Sequence, residues 1–168
     1  MKIYQNRSQL LEQLNQICIQ TLKEKPRLIV ALTGLCGSGK STLGKTIRKK
    51  GFGNFAPYQI AVIDDNVMSL NLFIARPKIR NTPSQHNLKD NLKPFTKFLP
   101  PYVKIIFYIY VNPVRIDFAD VVIILKIDEQ RRQKQLEQRE SDAELIKSLM
   151  NGKINIDIPF THGLCLVE

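Results

Sequence analysis

The residues best suited to chemistry lie in one unbroken stretch, Gly34-Leu35-Cys36-Gly37-Ser38-Gly39-Lys40-Ser41-Thr42, which meets the pattern G-x-x-x-x-G-K-S without a mismatch. An apolar run, Leu28 to Leu32, precedes it, and a segment able to form a helix follows. A phosphate-binding loop needs that setting. Glycines let backbone N–H groups converge on phosphate oxygens, and the following helix adds the positive end of its dipole. Gly34, Gly37, Ser38, Gly39, Lys40, Ser41 and Thr42 are therefore the candidate contacts to a nucleotide. Lys40 would reach the β- and γ-phosphates, and the Ser41 hydroxyl would complete the shell of a Mg²⁺ ion. Cys36 lies where phosphate binding needs no side chain, and reads as a filler of the loop rather than a nucleophile.

A second set of capable residues closes the next apolar run, Tyr58 to Ile63, which passes into Asp64-Asp65. In an open parallel sheet, ligands sit beyond the carboxyl ends of the strands. Two carboxylates at this point stand where a phosphoryl acceptor would lie. One could orient an acceptor hydroxyl and take its proton, and the other could hold Mg²⁺ through water. The plainer use of the pair is to cap a helix starting near Asn66-Val67-Met68, and the two uses are compatible.

Charge marks a third region. The formal charge of the chain is +10. Between Asn66 and Ile116 the one acid, Asp90, faces Arg76, Lys78, Arg80, Lys89, Lys93, Lys97, Lys104 and Arg115, so 8 − 1 = +7 of the excess falls in this segment. Such a field concentrates anionic substrates, although any single lysine is more simply a solvated surface residue. His86, in the same polar segment, reads as a surface residue.

These residues need a scaffold. With 168 residues, 43% hydrophobic and 24% charged, the chain has the makings of a single domain with a full core rather than a disordered one. No apolar run approaches the roughly 20 residues of a membrane span. Met1 to Arg7 turns polar at once, unlike a signal peptide. Cys18, Cys36 and Cys165 are odd in number and lack metal-ligand spacing, which points to reduced thiols and a cytoplasmic setting.

Periodicity predicts a helix over Ser8–Leu22, with Asn6 and Gln9 as a capping box, then a strand over Arg27–Leu32 and a helix over Lys40–Lys50 stopped by Gly51. A strand over 58–63 follows, then short helices around Val67–Ala75 and Leu88–Phe98. Val103–Val111 reads as a third strand, closing on Asn112-Pro113 where a metal-binding strand would close on an acid. A fourth strand covers Val121–Ile127. Glu129–Arg139 reads as an exposed helix on which Arg132 and Arg139 share a face and Arg131 lies on the next. Ser141 caps a last helix through Met150, and the alternation of Lys153–Ile158 predicts a fifth strand. The result is one α/β domain over 1–168, a P-loop NTPase three-layer sandwich with a mostly parallel five-stranded sheet, residues 1–26 packing on it through a helix.

Three stretches, G-L-C-G-S-G-K-S-T at 34–42, V-I-D-D-N at 62–66 and A-D-V-V-I-I-L-K-I-D-E-Q-R-R at 119–132, together resemble the small P-loop kinases, especially the uridine kinase and phosphoribulokinase-like group. The resemblance implies an ATP- and Mg²⁺-dependent kinase acting on a small, nucleoside-like acceptor. It makes Asp64 the general base and segment 129–140 a lid over ATP, with Arg131, Arg132 and Arg139 as lid arginines. Lys40, Arg132 and Arg139 would then clamp the transferring group, and the metal would rest on Ser41 and Asp65. Three departures stand out: Asn66-Val67 where an aromatic is usual, no acid after the third strand, and Gln133 and Gln135 in the lid. The absence of D-x-x-G, N-K-x-D and L-S-G-G-Q argues against a GTPase or transporter ATPase, and the length against a helicase or an AAA motor. Two further readings remain: a kinase acting on a phosphorylated or polymeric acceptor such as an RNA end, and a nucleotide-binding regulator without catalysis. No membrane partner is expected.

Overall fold

The computed structural model describes residues 1–72, 75–84 and 88–168. In chain order its elements are β1 (Lys2–Tyr4), α1 (Arg7–Thr21), β2 (Leu28–Gly34), α2 (Lys40–Lys50), β3 (Ile60–Asp64), β4 (Val67–Ser69), β5 (Lys78–Arg80), α3 (Lys93–Thr96), β6 (Ile105–Ile109), β7 (Ala119–Lys126), α4 (Glu129–Glu137), α5 (Ala143–Met150) and β8 (Phe160–Val167). The strands form one sheet in the order β1-β8-β7-β2-β6-β3-β4-β5. From β1 to β3 every pairing is parallel, and β4 and β5 are added antiparallel.

The central strands are apolar along their length because both of their faces are covered. On one face, Leu10, Leu14 and Ile17 of α1 and Leu43 and Ile47 of α2 pack on Val30, Leu32, Val62, Phe107, Ile109 and Ile123. On the other, Leu92, Phe95 and Leu99 cover Ala31, Ile63, Ile106 and Tyr108. At Gly44 a Cβ would stand 2.3 Å from Cδ1 of Ile109 and 3.4 Å from Cγ1 of Val62. The missing side chain lets α2 lie directly against β6 and β3, which brings the start of α2 and the end of β3 to the same edge of the sheet.

The α/β class, the mostly parallel sheet, and the strands and helix flanking the phosphate loop agree with the sequence reading. Several details differ. The helix expected after Asp64-Asp65 is a β-hairpin: Asp64 pairs with Val67, and the two residues between them take left-handed φ values of 46° (Asp65) and 62° (Asn66). A two-residue hairpin turn of the favoured hand needs positive φ at both positions, and Asp and Asn tolerate it better than other residues with side chains. The helix expected over 88–98 shrinks to α3, and His86 falls outside the described residues.

Among the described residues, eight strands stand where five were expected. Lys153–Ile158 is not one of them. Its alternating isoleucines are used for packing instead, since Ile158 is buried and Ile154 and Ile156 lie against the second core. The place next to β7 is taken by β8, which the edge strand β1 flanks on its other side and whose Thr161-His162-Gly163 hid it from a hydrophobic pattern. Asn6 caps α1 by accepting from the Ser8 N–H rather than through a box with Gln9, and Asp142, not Ser141, caps α5. The charged helix ends at Glu137 and is docked rather than exposed, with Arg132 and Leu136 buried.

Candidate active site

A cavity of about 330 Å³ opens at the carboxyl edge of the sheet, between the phosphate loop, the end of β3, the end of β6 and α4. Gly37, Gly39, Lys40, Ser41 and Thr42 face it from the loop and the first turn of α2. Gly39, at φ 86°, opens α2 in a conformation that avoids a side chain, and neither a side-chain cap nor an acid blocks this helix start. The Leu43 N–H makes a helical bond to the Gly39 carbonyl at 2.9 Å. The N–H groups ahead of it, on Lys40, Ser41 and Thr42, belong to the first turn, whose donors have no partner within a helix. They form the anion-binding end of α2.

Lys40 is 8% exposed, and its ammonium donates to the carbonyls of Gly34 at 2.6 Å and Leu35 at 2.9 Å. Burial lowers its pKa; Cys36, Asp64 and Asp65 oppose the shift, while the nearby Arg139 cation adds to it. Gly34 ends β2 behind the loop. Ser38 is buried, its hydroxyl has no hydrogen-bond partner, and it does not face the cavity.

Asp64 and Asp65 both line the cavity. Asp64 is half-buried and lies close to Ser41 and Lys40. Burial raises the Asp64 pKa and Asp65 raises it further, against the Ser41 hydroxyl and the charges of Lys40 and Lys45. Asp65 is carried on the hairpin turn and is exposed. The hydroxyl and carboxylate oxygens gathered here are hard ligands of the kind Mg²⁺ takes together with substrate phosphates. Among the described residues, no three His, Cys, Asp or Glu side chains form a metal cluster, so an ion here would depend on a nucleotide for further ligands.

The lid arginines separate. Arg139 lines the cavity with Gln135. Arg131 is exposed and outside it. Arg132 turns away: it is 3% exposed, and its guanidinium donates to the Met150 carbonyl at 2.5 Å. Its stem lies over Gly37, where a Cβ would come within 3.1 Å of Cγ of Arg132 at φ 82°. Arg132 thus ties α4 to the loop and to the end of α5. Arg139→Ala should lower turnover by about 10²-fold or more without changing the melting temperature. Arg132→Ala should lower the melting temperature by several degrees, as expected for about 1–3 kcal/mol lost with a buried hydrogen bond and stem packing. Paired thermal scans and rate measurements check both.

Periodicity did not reveal Arg115. Counted in the sequence as one more surface cation, it is 1% exposed and neutralised by Asp90. Its guanidinium also donates to the Asn66 side chain at 2.7 Å and to the Asn81 carbonyl at 2.8 Å, and lies 5.0 Å from the centre of the Phe95 ring. It therefore fastens the segment after β5 and the lead into α3 to the turn that carries Asp65. Arg115→Met should cost about 3–5 kcal/mol by leaving Asp90 unpaired, read as a fall in the urea midpoint. Tyr110 and Val111 complete the cavity wall beyond β6. Arg7, at the start of α1, places Nη2 within 3.9 Å of where a Cβ would stand on Gly39, held by two 2.6 Å bonds to Glu168.

With this geometry in view, a profile described as an AAA domain matches residues 30–156, from β2 through the loop after α5. That is 127 of the 168 residues. The chain belongs to the AAA domain family. This AAA domain is a P-loop nucleotide-binding domain of a kind common in kinases. The family is broader than the uridine kinase and phosphoribulokinase-like group. No curated protein and no solved structure matches the chain. Among the described residues, no helix of the AAA domain is long and apolar enough to cross a membrane.

Proposed function

We propose that the chain is an ATP- and Mg²⁺-dependent phosphotransferase that moves the γ-phosphoryl group to a hydroxyl of a small metabolite. The observation that carries this reading is the half-buried Asp64 carboxylate at the end of β3, sharing one cavity with Ser41 and Lys40. A nucleotide-binding switch needs the loop and lysine; a carboxylate facing them is what proton removal from an acceptor adds.

In this reading the N–H groups of Lys40, Ser41 and Thr42 hold the donor phosphates, and the Lys40 ammonium neutralises charge on the transferring group. Asp64 orients the acceptor hydroxyl and takes its proton as the new oxygen–phosphorus bond forms and the bond to the β–γ bridging oxygen breaks. Arg139 supplies a second cation from α4. Mg²⁺, held by Ser41 and Asp65 with the phosphates, would add charge neutralisation. Arg131 and Arg132, which lie outside the cavity, take no part in the proposed chemistry.

Incubation of the protein with ATP labelled on the γ-phosphoryl group and a pool of small metabolites tests the reading. Label should enter an acid-stable organic phosphoester, and not in the presence of a chelator. Label that stays on ATP with every acceptor contradicts it and favours a regulator; label released only as inorganic phosphate contradicts it and makes the protein an ATPase.

A further inference from the structure

The phosphate loop and α4 each have a second side. Cys36, Gly37, Gly39 and Lys40 of the loop, with Gln135 and Arg139 from the α4 segment, face the phosphate-binding cavity. Leu35 and Ser38 of the loop, with Arg132 of α4, line another cavity of about 250 Å³, closed by Leu125 and Ile127 around the end of β7 and by Ile154 after α5. The two cavities have no lining residue in common. Leu35 also meets the segment after α5, its Cδ2 lying 3.8 Å from where a Cβ on Gly152 would stand.

Two buried polar atoms without a partner set the chemistry of this second cavity. Ser38 is 4% exposed and Arg132 3%. The Ser38 hydroxyl lies 2.6 Å from where a Cβ on Gly34 would stand and makes no hydrogen bond, and Nε of Arg132 makes none either. The rest of the guanidinium meets only uncharged groups, with Nη2 donating to the carbonyl and the sulfur of Met150. Among the described residues Arg132 stands in no ion pair. Glu129 lines the same cavity but is exposed, as is Lys126 of opposite charge beside it, and it does not pair with the guanidinium. A buried cation without a counter-charge is strongly disfavoured, and a buried donor left unmade is costly in its own right.

We infer that this cavity is a second ligand site, on the back of the phosphate loop, for a small aliphatic carboxylate whose charged end meets Nε of Arg132 and the Ser38 hydroxyl. An arginine Nε–H can only donate, and a serine hydroxyl can donate as well. Both therefore call for an acceptor, and the cation calls for a negative charge. A carboxylate supplies the two together. The walls of Leu35, Leu125, Ile127 and Ile154 suit a short apolar chain, as in small-molecule sites where a few polar groups orient an otherwise apolar ligand. An inorganic anion would leave those walls unused. The ligand would brace the loop and α4 from behind, the two elements that carry Lys40 and Arg139 to the other cavity. The inference does not depend on phosphoryl transfer.

Calorimetric titration tests the site in protein saturated with Mg²⁺ and a non-hydrolysable ATP analogue, which occupy the front of the loop. The probe is isovalerate, compared with isoamyl alcohol, which has the same chain without the charge, and with inorganic phosphate. Isovalerate should bind at one site, about tenfold or more tightly than either comparison. Ser38→Ala, which deletes one hydroxyl, should weaken it by about 2- to 10-fold. Ile154→Trp, which fills the cavity, should abolish it. Thermal scans establish that each variant is folded, and Ser38→Ala alone carries the test if Ile154→Trp does not fold. No saturable binding of isovalerate overturns the site and leaves the two donors to buried water. Equal affinity for the alcohol, or tighter binding of inorganic phosphate, overturns the carboxylate. An affinity unchanged in either folded variant overturns the location and puts the ligand elsewhere on the protein.

Discussion

Lys40→Met is expected to leave no more than about one part in 10³ of the wild-type turnover. A cation positioned on a transferring phosphoryl group contributes about 10³–10⁵ to rate, and a single preorganised donor about 10²–10³. Lys40 acts as both. Its position is prepared by the fold: the ammonium is drawn into the loop by the carbonyls of Gly34 and Leu35, and burial already disfavours its charge. A phosphate in the cavity would relieve that penalty. Stability should change far less than rate. Losing Lys40 takes a donor from the carbonyls of Gly34 and Leu35, the second of which keeps its bond from the Ser38 N–H, so the cost is about 1–3 kcal/mol, and it also removes a buried charge. Steady-state rates with a thermal scan separate the two effects. Undiminished turnover in a folded variant would mean that transfer does not occur at this loop.

Asp64→Asn should lower kcat by about 10²–10⁴ while ATP still binds, because a general base contributes to the barrier and not to holding the donor. The pH profile gives a sharper signature. Asp64 accepts a proton only when ionised, and burial, with Asp65 beside it, raises its pKa. The acid limb of kcat should therefore lie above the ordinary aspartate range near 3.9, with activity lost as pH falls through it. Asp65→Asn removes the neighbouring negative charge and should move that limb to lower pH. In Asp64→Asn the limb should disappear. If Asp64→Asn keeps its kcat and Asp65→Asn loses it, the base is Asp65.

The centre of this molecule was legible because its signals are local. The glycines of the loop, the apolar runs of β2, β3, β6 and β7, and Gly51 after α2 each express a backbone requirement in a few adjacent residues. The periphery was hidden for reasons that can be named. Asp65-Asn66 is equally good as a helix start and as a hairpin turn, and only the pairing of Asp64 with Val67 decides between them. Ile154, Ile156 and Ile158 alternate as a strand would, yet they are spent on packing. In the site, the loop and the acidic pair were readable as residue types at the ends of strands. The lid was not. Arg132 and Arg139 are both arginines on one charged segment, and the choice between them follows from Gly37, whose bare Cα admits the Arg132 stem. Arg115 was hidden because its partners, Asp90, Asn66 and Asn81, come from three distant segments.

The family establishes a nucleotide-binding P-loop, and the proposal adds one claim, that Asp64 makes it a site of phosphoryl transfer. The most direct test follows ATP binding and label transfer together, in wild type and Asp64→Asn, with the same metabolite pool. Matching nucleotide affinities, label in an organic phosphoester with the wild type, and a loss of about 10²-fold or more with the variant are expected. Equal transfer by the two proteins would mean that Asp64 is not the base.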